Sequence, residues 1–165
     1  MEETLLLSKG RCRIDGFEID KAQVERTFIM IKPDGVQRGL IGKVINRFEK
    51  KGLKLKAMKF MMPTPELIKE MYKDEKHEPY FDKLLYIMTC GPAVPMIWEG
   101  VDAVGVGRRT ISELITENSL PGSIRGDTSI HVGRNVCHGA DNQQEADMDI
   151  ALFFGDLLET MSKSV

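Results

Sequence analysis

One stretch of the 165-residue chain concentrates side chains able to do chemistry: Arg134-Asn135-Val136-Cys137-His138-Gly139-Ala140-Asp141. It sets one imidazole between a carboxamide and a Gly-Ala pair, with a carboxylate three residues on. Ionisable groups need partners or water, so such a cluster belongs at a surface or in a cleft. Histidine is also the side chain best matched to proton or group transfer near neutral pH. The plainer reading is a helix-capping loop in which a backbone carbonyl satisfies His138. Cys137 beside it raises a Cys–His nucleophilic pair, but neighbouring residues point apart on most backbones, and a small hydrophobe is the simpler role.

Two further stretches place cations beside turn residues: Ile31-Lys32-Pro33-Asp34-Gly35 and Pro121-Gly122-Ser123-Ile124-Arg125-Gly126-Asp127. With Arg108 and Arg109 they give four cations at element ends or in loops, the makings of a composite phosphate site. Each alone reads rather as a solvated surface charge. Gly39-Leu40-Ile41-Gly42-Lys43 is too short for a P-loop, and Gly105-Val106-Gly107 lacks the third glycine of a dinucleotide turn. Asp141, Asp147 and Asp149 read as first-turn helix carboxylates favoured by the helix dipole. Asp149 also suits a second role, accepting the second N–H of a functional histidine. Glu70, Asp74 and Glu75 form a solvated helix face. His77 and His131 have no partners at metal-ligand spacing.

The positioning elements must come from an ordinary soluble domain. The chain is 42% hydrophobic and 29% charged with a formal charge of -2, which suits one buried core and gives no overall attraction to nucleic acid or an anionic membrane. Three cysteines, Cys12, Cys90 and Cys137, argue for free thiols in a reducing compartment, hence a cytoplasmic location. No apolar run has bilayer length, and the amino end lacks a signal peptide's basic and hydrophobic regions.

Asp15-Gly16 suits a tight turn between residues 11–14 and 17–20, with Cys12, Ile14, Phe17 and Ile19 on one face. A boundary near Gln23–Arg26 separates this extension, residues 1–24, from a domain over 25–165. Thr27–Ile31 reads as a buried strand ended by Pro33 and Asp34-Gly35. Ile41, Val44, Ile45 and Phe48 mark a helix ending near Gly52. Residues 53–62 return to a strand, and Thr64-Pro65-Glu66 starts a helix that buries Leu67, Ile68 and Met71. The pattern then predicts a strand at 84–88, a short helix carrying Val94, Ile97 and Trp98, and a strand at 102–106. A short helix with Ile111, Leu114 and Ile115 follows, then an extended piece at Ile130 and Val132. A last helix carries Ala146, Ile150, Phe153 and Leu157. Helices interleaved with strands of mixed exposure favour a two-layer α/β sandwich around one sheet.

In these segments the sequence resembles the nucleoside diphosphate kinase family. The resemblance runs through residues 25–42, Gly91-Pro92-Ala93, Trp98-Glu99-Gly100, 121–127 and 133–141, and covers roughly residues 25–157. It implies a ferredoxin-like α/β sandwich with a four-stranded antiparallel sheet. It also implies a ping-pong reaction in which a nucleoside triphosphate phosphorylates His138 and the phosphohistidine passes its group to a nucleoside diphosphate. The family's phosphate contacts fall on Lys32, Tyr72, Arg108 and Arg125, its base-stacking aromatic on Tyr80, and its pocket lining on Leu84 and Val132. Its sugar contact falls on Asn135 and its histidine-orienting carboxylate on Asp149. Mg2+ bridges the nucleotide phosphates in this family without a cage of protein ligands. Homo-oligomers, most often hexamers, are the family's usual assembly; neither a membrane nor nucleic acid is an expected partner.

Four positions depart from the family pattern: Ala140 replaces a serine, Asp149 a glutamate, Leu114 a threonine and Thr116 a proline. The nucleophile and main cations remain, which implies a working but slower enzyme. A nucleotide-binding relative with a regulatory or assembly role is the alternative, and a nucleic-acid-binding role is weaker, because no basic groove with interleaved aromatics is visible.

Overall fold

The computed structural model describes residues 11–14, 17–20, 23–112 and 118–162, with side-chain environments for 23–112 and 118–155. Arg11–Ile14 (β1) and Phe17–Asp20 (β2) pair antiparallel, with Cys12 opposite Ile19 and Ile14 opposite Phe17. The remaining strands are Val24–Ile31 (β3), Lys54–Met58 (β4), Val94–Val101 (β5) and Cys137–Gly139 (β6). They form one four-stranded sheet in the order β4-β5-β3-β6, antiparallel at every pairing. That is the ferredoxin-like order, with the two central strands buried.

The helices are Pro33–Gln37 (α1), Ile41–Lys50 (α2), Pro65–Met71 (α3), Phe81–Thr89 (α4), Ala103–Ile111 (α5), Ile124–Thr128 (α6) and Gln143–Ser162 (α7). Alternation along β3 feeds two cores, since successive strand residues face opposite sides. Ile29 and Ile31 join Phe48, Met96 and Trp98 on one face; Phe28 and Met30 join Ile68, Met88, Ile97, Phe153 and Phe154 on the other. The first face carries α2 and α5, the crossover helices of the ferredoxin-like plan. The second carries α3, α4 and α7, so the sheet is covered on both sides and the two-layer expectation understates the packing.

Local chemistry explains several element ends. Thr64 accepts a hydrogen bond from Leu67 N at 3.2 Å and Pro65 opens α3, a cap followed by a residue whose missing N–H costs nothing there. Helix α2 stops where Gly52 takes φ +86° and Leu53 N returns to Phe48 O at 3.2 Å, a left-handed cap that glycine adopts without a Cβ penalty.

Between 84 and 106 the sequence reading exchanges helix and strand. Residues 84–88 lie inside α4, not in a strand. Short apolar runs fit both periods; here Met88 is buried and Tyr86 is 71% exposed, the two sides of a helix. Val94, Ile97 and Trp98 lie in β5, whose first five residues are all buried, so their helical spacing was coincidental within a two-sided buried strand. Residues 103–106 begin α5, where Glu25 Oε1 accepts from Val104 N at 3.0 Å. Strand β4 is shorter than 53–62, with Met61 rejoining only as an isolated bridge to Ala93. Ile111 ends α5, and Leu114 and Ile115 of the expected next helix lie outside the described residues. The extended piece at 130–132 is replaced by a fully exposed Ile130 and a 3-10 turn, Val132–Arg134. Helix α7 begins at Gln143, which puts Asp141 before the helix and Asp149 in its second turn.

Candidate active site

His138 sits at the centre of β6, opposite Met30 of β3, so a strand holds it and the helix-capping loop is excluded. Alternation turns Cys137 into the α2–α5 core and turns His138 the other way, toward Phe28, whose ring centroid lies 6.0 Å off. On that face two helices reach the imidazole. Asp149 of α7 places Oδ2 3.1 Å from Nε2. Tyr72, the residue capping α3, places its hydroxyl 3.1 Å from Nδ1, with the rings edge-on at 5.7 Å. The carboxylate shortened by one methylene therefore reaches the ring directly.

These partners fix the tautomer. A carboxylate only accepts, so Nε2 carries the proton. Burial foremost, with Glu75, Asp149 and Glu145 adding, raises the Tyr72 phenol well above the ordinary phenol range. It keeps its proton and donates to Nδ1. The unshared pair of the ring thus lies on Nδ1.

Lys32, at the end of β3, is buried and donates from Nζ to Asn135 Oδ1 at 2.6 Å. Burial pushes its ammonium below 10.5, opposed by Asp34 and assisted by the positive charge of Arg125. Arg125, on α6, is 3% exposed and donates to the carbonyls of Ser112 at 3.0 Å and Cys137 at 2.8 Å. Its Nε is buried without an acceptor among the described residues. Burial, and then Arg108, lower this guanidinium as well, though arginine stays charged at any physiological pH. Arg108 of α5 pairs through Nε with Asp141 Oδ1 at 3.0 Å. Cations converging beside one imidazole can neutralise a polyphosphate and stabilise charge developing on a transferred phosphoryl group.

The structure thus brings Lys32, Tyr72, Arg108, Arg125, Asn135, His138 and Asp149 together. Among the described residues, Tyr80, Leu84 and Val132 make no hydrogen bond or ion pair to that cluster, though Leu84 and Tyr72 pack against the same core. Tyr80 is half exposed, caps α4 and donates to Glu75 Oε2 at 2.9 Å. Leu84, one turn on, packs partly buried against the Phe28 core. Val132 is exposed on the 3-10 turn, whose Gly133 faces Ile87 of α4, so the three lie on two adjoining elements. Ala140 packs with Val104 and Ala146. Leu114 and Thr116 lie outside the described residues. Cys137 is fully buried, which pushes its thiol up to about 12 and leaves it no nucleophile. His131 Nδ1 accepts from Gly133 N at 3.0 Å, a local role.

Sequence reasoning passed over Asp34 and Val136. Asp34 Oδ2 accepts from Val136 N at 3.1 Å, and Val136 O accepts from Lys32 N at 2.8 Å. The turn after β3 therefore grips the segment entering β6 from both sides. Val136 pays with φ +69°, a conformation unusual for a β-branched residue. In the sequence Asp34 reads with Gly35 as the turn that ends β3, and no local signal separates that role from the grip on Val136.

Residues 25–157 match the family model described as nucleoside diphosphate kinase. The chain is 51% identical over 135 residues to the nucleoside diphosphate kinase of Drosophila melanogaster, covering 82% of this chain and 88% of that one. It is 50% identical over 133 residues to human nucleoside diphosphate kinase A, covering 81% and 88%. Among solved structures, the apo kinase of Encephalitozoon cuniculi superposes with a TM-score of 0.78 at 41% identity, over 79% of this chain and 89% of that one. The enzyme of Halobacterium salinarum, solved in complex with CDP, gives 0.77 at 45% identity over 79% and 87%. Fold, catalytic cluster and relatives agree, and the chain belongs to the nucleoside diphosphate kinase family.

Proposed function

We infer that this kinase carries the transferred phosphoryl group on Nδ1 of His138. A nucleoside diphosphate kinase moves the terminal phosphoryl group of a triphosphate to a diphosphate through phosphohistidine. The single observation carrying the assignment is the pair of contacts at the ring, Asp149 on Nε2 and Tyr72 on Nδ1, each at 3.1 Å. Nδ1 attacks with its unshared pair and needs no prior deprotonation. As the N–P bond forms and the bond to the leaving diphosphate breaks, positive charge grows on the ring, and Asp149 steadies it. The Tyr72 hydroxyl yields its place at Nδ1 and turns to a phosphoryl oxygen, with Lys32, Arg125 and Arg108 holding the other oxygens. The same groups serve both half-reactions.

Mg2+ fits this arrangement when held by the nucleotide. Lys32, Arg108 and the orphaned Nε of Arg125 suit phosphate oxygens, and the carboxylates at the ring share their space with an imidazole, a donor set magnesium disfavours. Bound there, the ion neutralises phosphate charge. The CDP complex of the Halobacterium relative supports nucleotides as ligands here, with Tyr80 stacking on the base, Leu84 and Val132 flanking it, and Asn135 meeting the sugar. Stacking on an aromatic face is tolerant of base identity.

The working form is a homo-oligomer, a hexamer by the family resemblance. Among the described residues strand β4 is an edge of the sheet, and Met58 at its end and Phe60 and Met62 just beyond it are exposed at 51, 66 and 58% respectively, which supports self-association. Light scattering on the purified protein sizes it.

The phosphotransfer assignment is tested by intact mass. Incubation with Mg2+ and a nucleoside triphosphate, without acceptor, should add one acid-labile phosphoryl group that a different nucleoside diphosphate removes. His138→Ala should abolish it. Nucleotide binding without any adduct in the parent would favour a non-catalytic relative.

A further inference from the structure

The catalytic step leaves one carboxylate at the ring without work. Glu145, one turn before Asp149 on α7, is half-buried, and one donor atom each from His138, Glu145 and Asp149 lie within 4.8 Å of one another. Zinc-class cations take imidazole nitrogen and carboxylate oxygen at about 2.0–2.2 Å, so three such ligands on one ion stand roughly 3.3–3.5 Å apart. The His138–Asp149 pair, at 3.1 Å, needs to open only slightly to reach that spacing. Glu145, on a longer and partly exposed side chain, closes the rest by a rotamer adjustment. A groove between α3 and α7, lined by Glu70, Met71, Met148 and Leu152, opens beside Asp149 and offers a route inward. Magnesium prefers an all-oxygen octahedron, so the donor set discriminates against the ion that accompanies the substrates.

We propose that His138 Nε2, Asp149 and Glu145 form an inhibitory site for a zinc-class divalent cation, which silences the kinase by taking over the hydrogen bond that orients its nucleophile. The proposal rests on Nδ1 of His138 being the phosphoryl acceptor. In the resting ring the proton is on Nε2 and the unshared pair on Nδ1. Coordination requires the pair at Nε2, so the ring's one proton leaves Nε2 and, through solvent, a proton is taken up at Nδ1, where it is donated to the Tyr72 oxygen. The ring stays neutral, a metal–nitrogen bond replaces the N–H···O contact, and Nδ1 has no pair left for attack. Lys32, Arg108 and Arg125 are not ligands of the metal site, so nucleotide still binds.

Glu145→Gln separates the two roles, because Glu145 Oε2 accepts from Asp141 N at 2.8 Å and a carboxamide oxygen can keep that bond. The experiment uses untagged full-length protein in a Cys90→Ser background, since Cys90 is an exposed thiol. Zinc chloride is titrated calorimetrically without nucleotide, and phosphohistidine formation is followed by intact mass with and without zinc. One zinc per chain is expected, with affinity lowered at least about tenfold by Glu145→Gln and the site lost in His138→Ala. Zinc should block the adduct in the parent while nucleotide affinity holds, a chelator should restore it, and Glu145→Gln without zinc should phosphorylate at the parent's rate. Equal zinc affinity in parent and Glu145→Gln would overturn the proposal, as would zinc-loaded parent that phosphorylates normally or zinc that acts by displacing nucleotide. A parent that forms no adduct even without zinc would instead remove Nδ1 as acceptor, and the calorimetry on the two variants would still decide the metal site.

Discussion

The Tyr72 hydroxyl stands 3.1 Å from Nδ1 of His138, the nitrogen that Asp149 leaves unprotonated by holding the other one. A phenol from the end of α3 and a carboxylate from α7 thus divide one imidazole into a donor side and an attacking side. Tyr72→Phe tests the first half. It keeps the edge-on ring packing and removes one neutral hydrogen bond of about 0.5–1.5 kcal/mol. Because that hydroxyl also turns to the phosphoryl group, single-turnover adduct formation should slow by roughly two- to tenfold, with nucleotide affinity nearly unchanged. An unaltered rate would show that Tyr72 only packs.

Asp149→Ala tests the other half. The charge-assisted bond to Nε2 contributes about 1.5–3 kcal/mol, so its loss should slow phosphohistidine formation roughly ten- to hundredfold. Asp149→Asn should fall between, since a carboxamide oxygen still accepts the N–H but carries no charge to steady the forming cation. Nitrogen-15 chemical shifts of the ring supply an independent readout: the parent should show Nε2 protonated, and the alanine variant a mixture of tautomers.

Much of this was legible in the chain. Lys32, Arg108, Arg125 and His138 announced themselves by type and by lying at element ends, and Ile41–Phe48 and Thr64-Pro65 announced their helices. The exchange between 84 and 106 was not legible, because Leu84–Met88 and Val94–Trp98 are short apolar runs whose burial on one or two sides is decided by the sheet, not by period. Asp34 was invisible for a different reason. Its partner Val136 is 102 residues away, and no local pattern reports a contact of that range. Asp149 was singled out, yet its place in the second turn of α7, not the first, is what aims it at His138.

Lys32 makes a pH prediction with opposite signs for activity and stability. Burial lowers its pKa from 10.5. Between the folded value and 10.5 the unfolded chain binds more protons than the native one, so this residue's contribution to stability rises as pH rises through that window. The ammonium that attracts phosphate is lost over the same range. The alkaline limb of kcat/KM should therefore fall at a lower pH than an ordinary lysine gives, and Lys32→Arg should move it upward while lowering the plateau, because the point contact with Asn135 is lost. Tyr72, held above the phenol range, does not supply this limb. A profile flat to pH 10.5 in the parent would refute the assignment.

Asp34 offers the sharpest separation of architecture from chemistry. Its Oδ2 holds the Val136 N–H at 3.1 Å, both residues are buried, and Val136 sits at φ +69°. Asp34→Ala leaves a buried N–H without its partner, which costs about 1–3 kcal/mol and should lower the urea midpoint with the m-value unchanged. It also frees the peptide before Cys137 to relax toward negative φ, and that relaxation moves the backbone carrying His138. Adduct formation should then slow by more than the loss of folded protein explains, when measured at a urea-free temperature where the variant is fully native. Asp34→Asn, whose carboxamide oxygen can still accept the N–H, should recover most of the stability. If Asp34→Ala loses stability but phosphorylates at the parent's rate once folded, the grip on Val136 serves the fold alone and not the aim of the nucleophile.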